Sequence, residues 1–283
     1  EKMNRPQSRQ QIWSNLDQPW DLIIIGGGIS GAGIFKRAIS GGLKTLLLDA
    51  ADFSSGTSSK SSKLVHGGFR YLRSRQYGVT YESVKQREAL LKQAEGLVSP
   101  LGFVLPHNAE SRQIAMFRTG VVIYDLMAPK WNHSHFDLDQ LRELIPLLKP
   151  EGMAGAYLYY DARLDDSRMV LRLIQEAQQR GGVALNYAKA ARLLRTQDGQ
   201  VCGVAVEDQS SAKLGTLELK ARAVINATGP WTDQLRGQLG REGRVRPLRG
   251  SHLVFDFETL PIPYAVTLMH PKDHRAMFAI PWE

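Results

Sequence analysis

The chain has 283 residues, with 36 Lys and Arg against 28 Asp and Glu, so its formal charge is +8, and 43% of its residues are hydrophobic. A single cysteine, Cys202, excludes an intramolecular disulfide and any Cys-based metal cluster, and no run approaches the roughly 18 consecutive apolar residues of a membrane-spanning helix. The length accommodates one large domain or two smaller ones. The positive excess suits a phosphate, another anionic ligand, a nucleic acid or an acidic lipid surface, without choosing among them.

Residues 1–19 are polar and aperiodic and are expected to form a loosely ordered lead-in. The aliphatic run Leu22-Ile23-Ile24-Ile25 reads as a strand buried on both faces of a parallel sheet. Ile29 to Ser40 spaces its apolar residues at helical intervals and stops at Gly41-Gly42, and Thr45 to Leu48 reads as a second strand closed by Asp49. Strand, glycine turn, helix and strand make a βαβ unit with a right-handed crossover.

Ser54 to Ser62 (SSGTSSKSS) has the composition of a flexible linker, but it follows directly on the second strand. Tyr81 to Val98 is predicted to be a helix with Tyr81, Val84, Leu91, Ala94 and Val98 on one face, ended by Pro100. Gly102 to Pro150 mixes prolines, histidines and short apolar runs and has no assignable topology. Asp166 to Gln179 reads as a helix. Val183 to Tyr187, Ala191 to Arg195 and Val201 to Glu207 read as strands of a meander with a turn at Asp198-Gly199. Val224 to Gly229 reads as a further strand, followed by a basic loop, Arg241 to Arg249, and a strand-like segment, Ser251 to Phe257.

The chemistry begins at Gly26-x-Gly28-x-x-Gly31, between the first strand and the first helix. Such a turn needs free φ at Gly26, close approach of a pyrophosphate at Gly28 and tight helix packing at Gly31. The helix N-terminus then offers unpaired N–H groups and partial positive charge to the phosphates. Asp49 is placed to accept hydrogen bonds from an adenosine ribose. NAD and FAD both fit this fingerprint.

Beyond it, Ser54 to Leu72 (SSGTSSKSSKLVHGGFRYL), Leu105-Pro106-His107, Asp161-Ala162-Arg163-Leu164, Asn226 to Trp231 (NATGPW), Gly250-Ser251-His252 and Phe278 to Trp282 (FAIPW) occur in an order that resembles the FAD-dependent glycerol-3-phosphate dehydrogenase family. The resemblance runs from about Asp21 to the last residue. It implies an α/β fold with a Rossmann-like FAD-binding domain of the glutathione-reductase or amino-acid-oxidase type. A discontinuous, C-terminally incomplete α+β substrate domain accompanies it. The FAD-binding domain is expected at 20–77 and 162–240, the substrate domain at 78–161 and 241–283.

The same resemblance implies that Thr57, Ser58, Thr228 and Gly229 lie along the dinucleotide, that the backbone around Ala188 cradles adenine, and that Lys63, Leu64, His66, Gly67 and Gly68 approach the isoalloxazine. Trp231 is either part of the site or plain core. For oxidation of sn-glycerol 3-phosphate to dihydroxyacetone phosphate, by hydride transfer from C2 to flavin N5, His252 is the base candidate. Arg70 is both a catalytic candidate and a phosphate clamp, with Tyr71 and Arg249 as further substrate-binding candidates. No metal is implied.

Electrons would pass to a quinone, at a cytoplasmic site peripheral to the inner face of the membrane, and a homodimer is compatible with this arrangement. An oxidase using oxygen, of the glycerophosphate or amino-acid kind, is the alternative enzyme, and a non-enzymatic nucleotide-binding module a further one. Nucleic acid is disfavoured because Glu242 and Pro247 interrupt the basic loop and no aromatics interleave it. The family continues past its Ile-Pro-Trp strand with a Gly-Thr-Thr-Asp segment, further basic residues and a late Gly-Gly-Lys turn, which are absent. The chain is therefore expected to be a portion of a longer polypeptide that by itself binds FAD weakly and turns over little.

Overall fold

The computed structural model describes residues 8–68, 71–72, 74–128, 132–149, 151–270, 272 and 275–282, except for the side chains of residues 112 and 113. The chain divides into two compact units, one built from residues up to Ser62 together with Asp166–Arg249, the other from Lys63–Asp165 together with the residues from Gly250 onward.

In the first unit, β1 (Trp20–Ile25), β2 (Thr45–Leu48), β7 (Val183–Leu185), β8 (Ala188–Arg195), β9 (Val201–Asp208) and β10 (Thr216–Asn226) form one sheet in the order β7-β2-β1-β10-β9-β8. The first four of that order run parallel, and β10-β9-β8 is an antiparallel meander. Strand alternation explains why β1 is aliphatic throughout, since successive side chains face opposite sides. Leu22 and Ile24 pack with Leu47 against α2 (Ile29–Ser40) and α6 (Asp166–Gln178), through Phe35, Val170 and Ile174. Ile23 and Ile25 pack on the opposite face with Leu46, Leu48, Val204, Val206 and Leu219. Each such side chain, fully buried, contributes about 1.5–3 kcal/mol.

From Ser8 onward the lead-in is better ordered than its composition suggests. Ser8 and Gln11 make a capping box for α1 (Arg9–Ser14), and Trp13 and Leu16 are buried in the core beneath the meander. Two apolar side chains suffice to dock a six-residue helix that would not persist alone. β10 begins at Thr216, eight residues before the expected start, because its first half (Thr216–Lys220) pairs with β9 and carries alternating exposed charges that mask the strand pattern.

In the second unit the sheet order is β12-β11-β4-β6-β3, with β5 also paired to β6. The strands are β3 (Leu64–Val65), β4 (Val98–His107), β5 (Ser134–Asp137), β6 (Gly155–Leu164), β11 (Ala265–Met269) and β12 (Ala276–Ala279). Leu101, Phe103 and Leu105 of β4 and Tyr157 and Tyr159 of β6 face α3 (Tyr77–Gln93) and α4 (Ser111–Met127), whereas Val104, Ala156 and Leu158 face α5 (Leu138–Leu144). The segment with no assignable topology is thus about a third of this unit.

Two sequence expectations fail here. The helix expected at Tyr81–Val98 runs instead from Tyr77 to Gln93. Gly96, at φ +82°, turns the chain, so Val98 and Pro100 belong to β4, and Tyr81 points outward. Ser251–Phe257 has no strand assignment, and Leu253, Val254, Phe255 and Phe257 are exposed; a strand requires a partner, and among the described residues none pairs with it.

The division between units falls at 62/63, 165/166 and 249/250 rather than at the expected 77/78, 161/162 and 240/241. Leu64 and Val65 pair with Arg163 and Ala162 on the edge of β6, which assigns them to the second unit. The backbone N–H groups of Arg244 and Val245 donate to Asp233 Oδ2 at 2.9 and 2.8 Å, which ties that part of the basic loop to the first unit.

Candidate functional site

Because β7, β2, β1 and β10 are parallel, their C-terminal ends lie along one edge of the first sheet. Gly26 ends β1, Asp49 follows β2, Asn186 follows β7 and Ala227–Gly229 follow β10. The chain order reverses between β1 and β10, and in open α/β sheets ligands bind outside the carboxyl ends of the strands at such a switch point.

Gly26 adopts φ +111° and a Cβ there would lie 2.7 Å from the Ala227 carbonyl carbon, so only glycine fits. Gly28 caps α2 with extended backbone and no side-chain bond of its own. The cap comes from the following loop, where Ser58 Oγ accepts the Ile29 N–H at 2.9 Å, and a Cβ on Gly28 would stand 3.0 Å from that oxygen. At Gly31 a Cβ would collide with the Gly26 carbonyl oxygen. Gly26 and Gly31 therefore meet the turn and packing requirements read from the sequence, and at Gly28 the neighbouring group is Ser58, which rather than a residue of the turn completes the helix start.

Asp49 accepts the Gly27 N–H through Oδ2 at 2.6 Å and the Ala51 N–H through Oδ1 at 2.9 Å. Burial raises its pKa above the ordinary carboxylate value; the two N–H donors oppose that shift and the neighbouring Asp52 carboxylate reinforces it. Ala188 is buried, and its N–H donates to the Asp49 carbonyl at 2.7 Å. Thr57, exposed, and Ser58, half-buried, lie in the single-turn 3₁₀ helix Thr57–Ser59. Thr228 Oγ1 donates to Asn226 Oδ1 at 2.7 Å, and Gly229, at φ +56°, opens the turn Gly229–Trp231. Trp231 is 52% exposed and lies over Gly56, so it is not core.

In the second unit, Lys63 has φ +55°, its carbonyl accepts the Leu164 N–H at 2.9 Å, and its Nζ stands 5.4 Å from the Trp282 ring centroid. Leu64 is in β3, and His66 is exposed. Gly67 is buried, its N–H donating to Asp161 Oδ1 at 2.9 Å, and a Cβ on it would stand 2.5 Å from Val84 Cγ2. Gly68, at φ +75°, lies against the Tyr71 ring. Packing within this unit is therefore sufficient reason for both glycines, which the resemblance implies approach the isoalloxazine.

Tyr71 is half-buried and its N–H donates to the Gly68 carbonyl at 2.7 Å. His252 is exposed, edge-on to Trp282 at 6.3 Å between ring centroids, and Arg249 is exposed at the end of the first unit's chain segment. Arg70 lies outside the described residues.

The sequence reading missed one cluster. Asp161 Oδ1 accepts from Arg87 NH1 at 2.7 Å and from the Tyr124 hydroxyl at 2.5 Å as well as from Gly67, and the Asp161 and Arg87 side chains are only 1% and 4% exposed. An acid within the apolar strand GAYLYYDARL was the available signal, since such a charge requires a buried partner. Burial pulls the Arg87 pKa down, but the Tyr124 and Asp161 oxygens more than reverse this. A surface cavity of about 580 Å³ lies along α4 beside Arg118, Thr119 and Val122, and none of the motif residues lines it. Among the described residues no group of three His, Cys, Asp or Glu side chains could hold a metal ion.

The aerobic glycerol-3-phosphate dehydrogenase of Staphylococcus saprophyticus is 36% identical over 97% of this chain and 50% of its own length. The probable mitochondrial glycerol-3-phosphate dehydrogenase of Caenorhabditis elegans is 37% identical over 98% of this chain and 40% of its own. The chain thus spans about half the length, or less, of these curated relatives. Among solved structures, the glycerol-3-phosphate dehydrogenase of Bacillus halodurans complexed with FAD superposes with a TM-score of 0.72 at 31% identity, over 96% of this chain and 47% of that one. L-proline dehydrogenase from P. horikoshii, at 16% identity and a TM-score of 0.65, shares the fold. A sequence profile of FAD dependent oxidoreductases matches residues 21–283, and the chain belongs to that family.

Proposed function

We propose that the protein of which this chain is part oxidises sn-glycerol 3-phosphate to dihydroxyacetone phosphate with FAD and passes the electrons to a quinone. The observation that carries the reading is the Gly26–Gly31 turn with Asp49 and Ser58, set at the switch point of a parallel sheet, in a chain whose relatives are named for this activity. The turn fits a diphosphate: Gly28 presents no Cβ, the α2 N-terminus offers N–H groups and partial positive charge, and Asp49 retains lone pairs for a ribose hydroxyl. Thr57, Ser58, Thr228 and Gly229 flank the dinucleotide in this reading, and the backbone at Ala188 borders the adenine.

When bound, FAD supplies the acceptor for the C2 hydride. Lys63, Leu64, His66, Gly67 and Gly68 form the backbone that the flavin ring approaches. His252 removes the hydroxyl proton, an imidazole being suited to proton transfer near neutral pH. Arg70 and Arg249 bind the substrate phosphate, with Tyr71 orienting the alcohol. The excess positive charge serves two phosphorylated ligands and contact with an acidic membrane surface. Among the described residues no helix is long and apolar enough to cross a membrane, which suits peripheral contact.

Anaerobic mixing of the flavin-loaded protein with glycerol 3-phosphate tests the reading. Bleaching of the flavin band is expected. A flavoprotein that does not bleach loses the substrate assignment, and a protein that takes up no FAD loses the cofactor assignment. In a separate aerobic assay, peroxide formed from dissolved oxygen without an added acceptor would replace the quinone with oxygen.

A further inference from the structure

We propose that Asp161, held by Arg87 and Tyr124, is a positioning residue that fixes the His66-Gly67-Gly68 turn in the orientation the flavin requires. The inference rests on the reading that this turn faces the flavin; Asp161 itself is not proposed to touch cofactor or substrate.

The geometry is directional. One oxygen of a buried carboxylate collects a guanidinium N–H at 2.7 Å, a phenol O–H at 2.5 Å and a backbone N–H at 2.9 Å. The first two donors come from helices, Arg87 from α3 and Tyr124 from α4, while the acceptor stands on β6. Arg87 is secured in turn, donating from NH1 to the Tyr160 carbonyl at 3.0 Å and from NH2 to Glu88 at 3.0 Å. Three elements of the second unit thus converge on a point whose remaining ligand is the backbone of Gly67.

Stability alone does not account for this arrangement. Taking a carboxylate and a guanidinium out of water is costly, and well-packed apolar side chains of similar volume commonly serve a core as well or better. What the ionic cluster adds is an acceptor of fixed position for one main-chain N–H. Charge-assisted hydrogen bonds of this kind are shorter and stronger than neutral ones. Contact from another direction completes the constraint, because a Cβ on Gly67 would stand 2.5 Å from Val84 Cγ2 and 2.8 Å from Tyr124 Cζ. Gly67 therefore rests on the same tyrosine whose hydroxyl bonds Asp161, and any displacement of Asp161 or Tyr124 moves the turn.

The test uses the flavin-loaded protein and compares D161N and Y124F with V121A, a truncation of a fully buried neighbour in the same core that bonds nothing in the turn. D161N keeps the shape and an acceptor oxygen but removes the charge that balances Arg87, and Y124F removes one donor. Both are expected to weaken FAD binding by about tenfold and to shift the visible flavin spectrum. V121A is expected to lower the unfolding temperature while leaving FAD affinity and spectrum at wild-type values. If D161N and Y124F behave as V121A does, with thermal destabilisation and an unaltered flavin, the cluster is only structural and the proposal is overturned. A wild-type protein that takes up no FAD would instead remove the cofactor reading, and the inference with it.

Discussion

The carboxylate of Asp49 accepts the backbone N–H of Gly27 at 2.6 Å, so the acid that closes β2 also ties down the glycine turn that closes β1. An acid in this position is read from sequence as a ribose ligand. Here its other oxygen accepts the Ala51 N–H, and its carbonyl accepts the Ala188 N–H from β8. One residue thus links the ends of three strands before any nucleotide is considered. D49N, which can still accept one N–H bond but leaves the other donor unmet, is expected to lose less stability than D49A and to bind FAD about tenfold more weakly. D49A, which satisfies neither donor, is expected to lose about 1–3 kcal/mol of stability as well. Fluorescence titration of FAD with thermal unfolding of the ligand-free protein separates the two effects, and equal FAD affinity in D49N and wild type would remove Asp49 from the binding site.

Two glycines of α2 make opposite predictions. At Gly31 a methyl group meets the Gly26 carbonyl oxygen, a backbone atom that cannot move aside without dismantling the turn. G31A is expected to destabilise the ligand-free protein by about 1–3 kcal/mol, as overpacking does. At Gly33, two residues on, nothing stands within 4 Å of the built methyl position. G33A is therefore expected to stabilise by about 0.5–1 kcal/mol, the ordinary gain of alanine over glycine inside a helix. Denaturant unfolding of both variants checks the pair; a stable G31A would mean the turn is not packed as described.

What was legible in the sequence depended on how local the determining physics is. The βαβ unit could be read because its determinants lie within thirty residues: an aliphatic run, glycines at fixed spacing and a helical period. The region 102–150 could not, because β4 carries Pro100 and Pro106 and α4 contains Val121-Val122-Ile123, so local preference opposes the final structure in both. Ser251–Phe257 fails for the converse reason, its composition favouring a strand where no pairing partner is described. The glycine turn and Asp49 followed from the spacing of the motif, and Ser58 from the family resemblance of the loop that carries it. Asp161 did not, since its meaning lies in Arg87 and Tyr124, residues 74 and 37 positions away that only the folded second unit brings to it.

The amino-terminal helix is expected to act through one ion pair. Arg9 donates to Asp208 Oδ1 at 2.6 Å and to the carbonyls of Asn186 and Tyr187 at 2.8 and 3.0 Å. Tyr187 holds φ +48°, so Arg9 supports a strained loop at the end of β7. Burial raises the Asp208 pKa, but the Leu214 N–H, Arg9 and Ser210 outweigh it and bring the value to about 2. The native pKa lies below the unfolded value of about 3.9, so this stabilisation is complete above that pH and is lost as pH falls towards 2. R9A is expected to lower the unfolding temperature at neutral pH and to flatten the acid limb of a stability profile between about pH 4 and 2. An unaltered acid limb in R9A would show that the pair does not carry this dependence.

A second pH dependence is expected from the seam at which His107 of β4 and His135 of β5 meet across β6. His107 Nδ1 stands 2.9 Å from the Asn108 carbonyl, which can only accept, so that nitrogen carries the proton and Nε2 of the neutral ring is an acceptor. His135 Nε2, 3.1 Å away, must then donate, and Tyr157 lies against both rings. A charge gained by His135 would stand beside the His107 ring at this distance. Burial and the His107 neighbour accordingly lower the His135 pKa below its ordinary value, with Asp137 opposing them. Because the native pKa is depressed, the seam contributes its full stability above the unfolded value near 6.5 and loses it as pH falls through the native one. Thermal unfolding between pH 7.5 and 5 should therefore fall more steeply in wild type than in H135F, which keeps an aromatic ring against Tyr157 and has no proton to gain. Parallel profiles for the two proteins would place the acid sensitivity elsewhere.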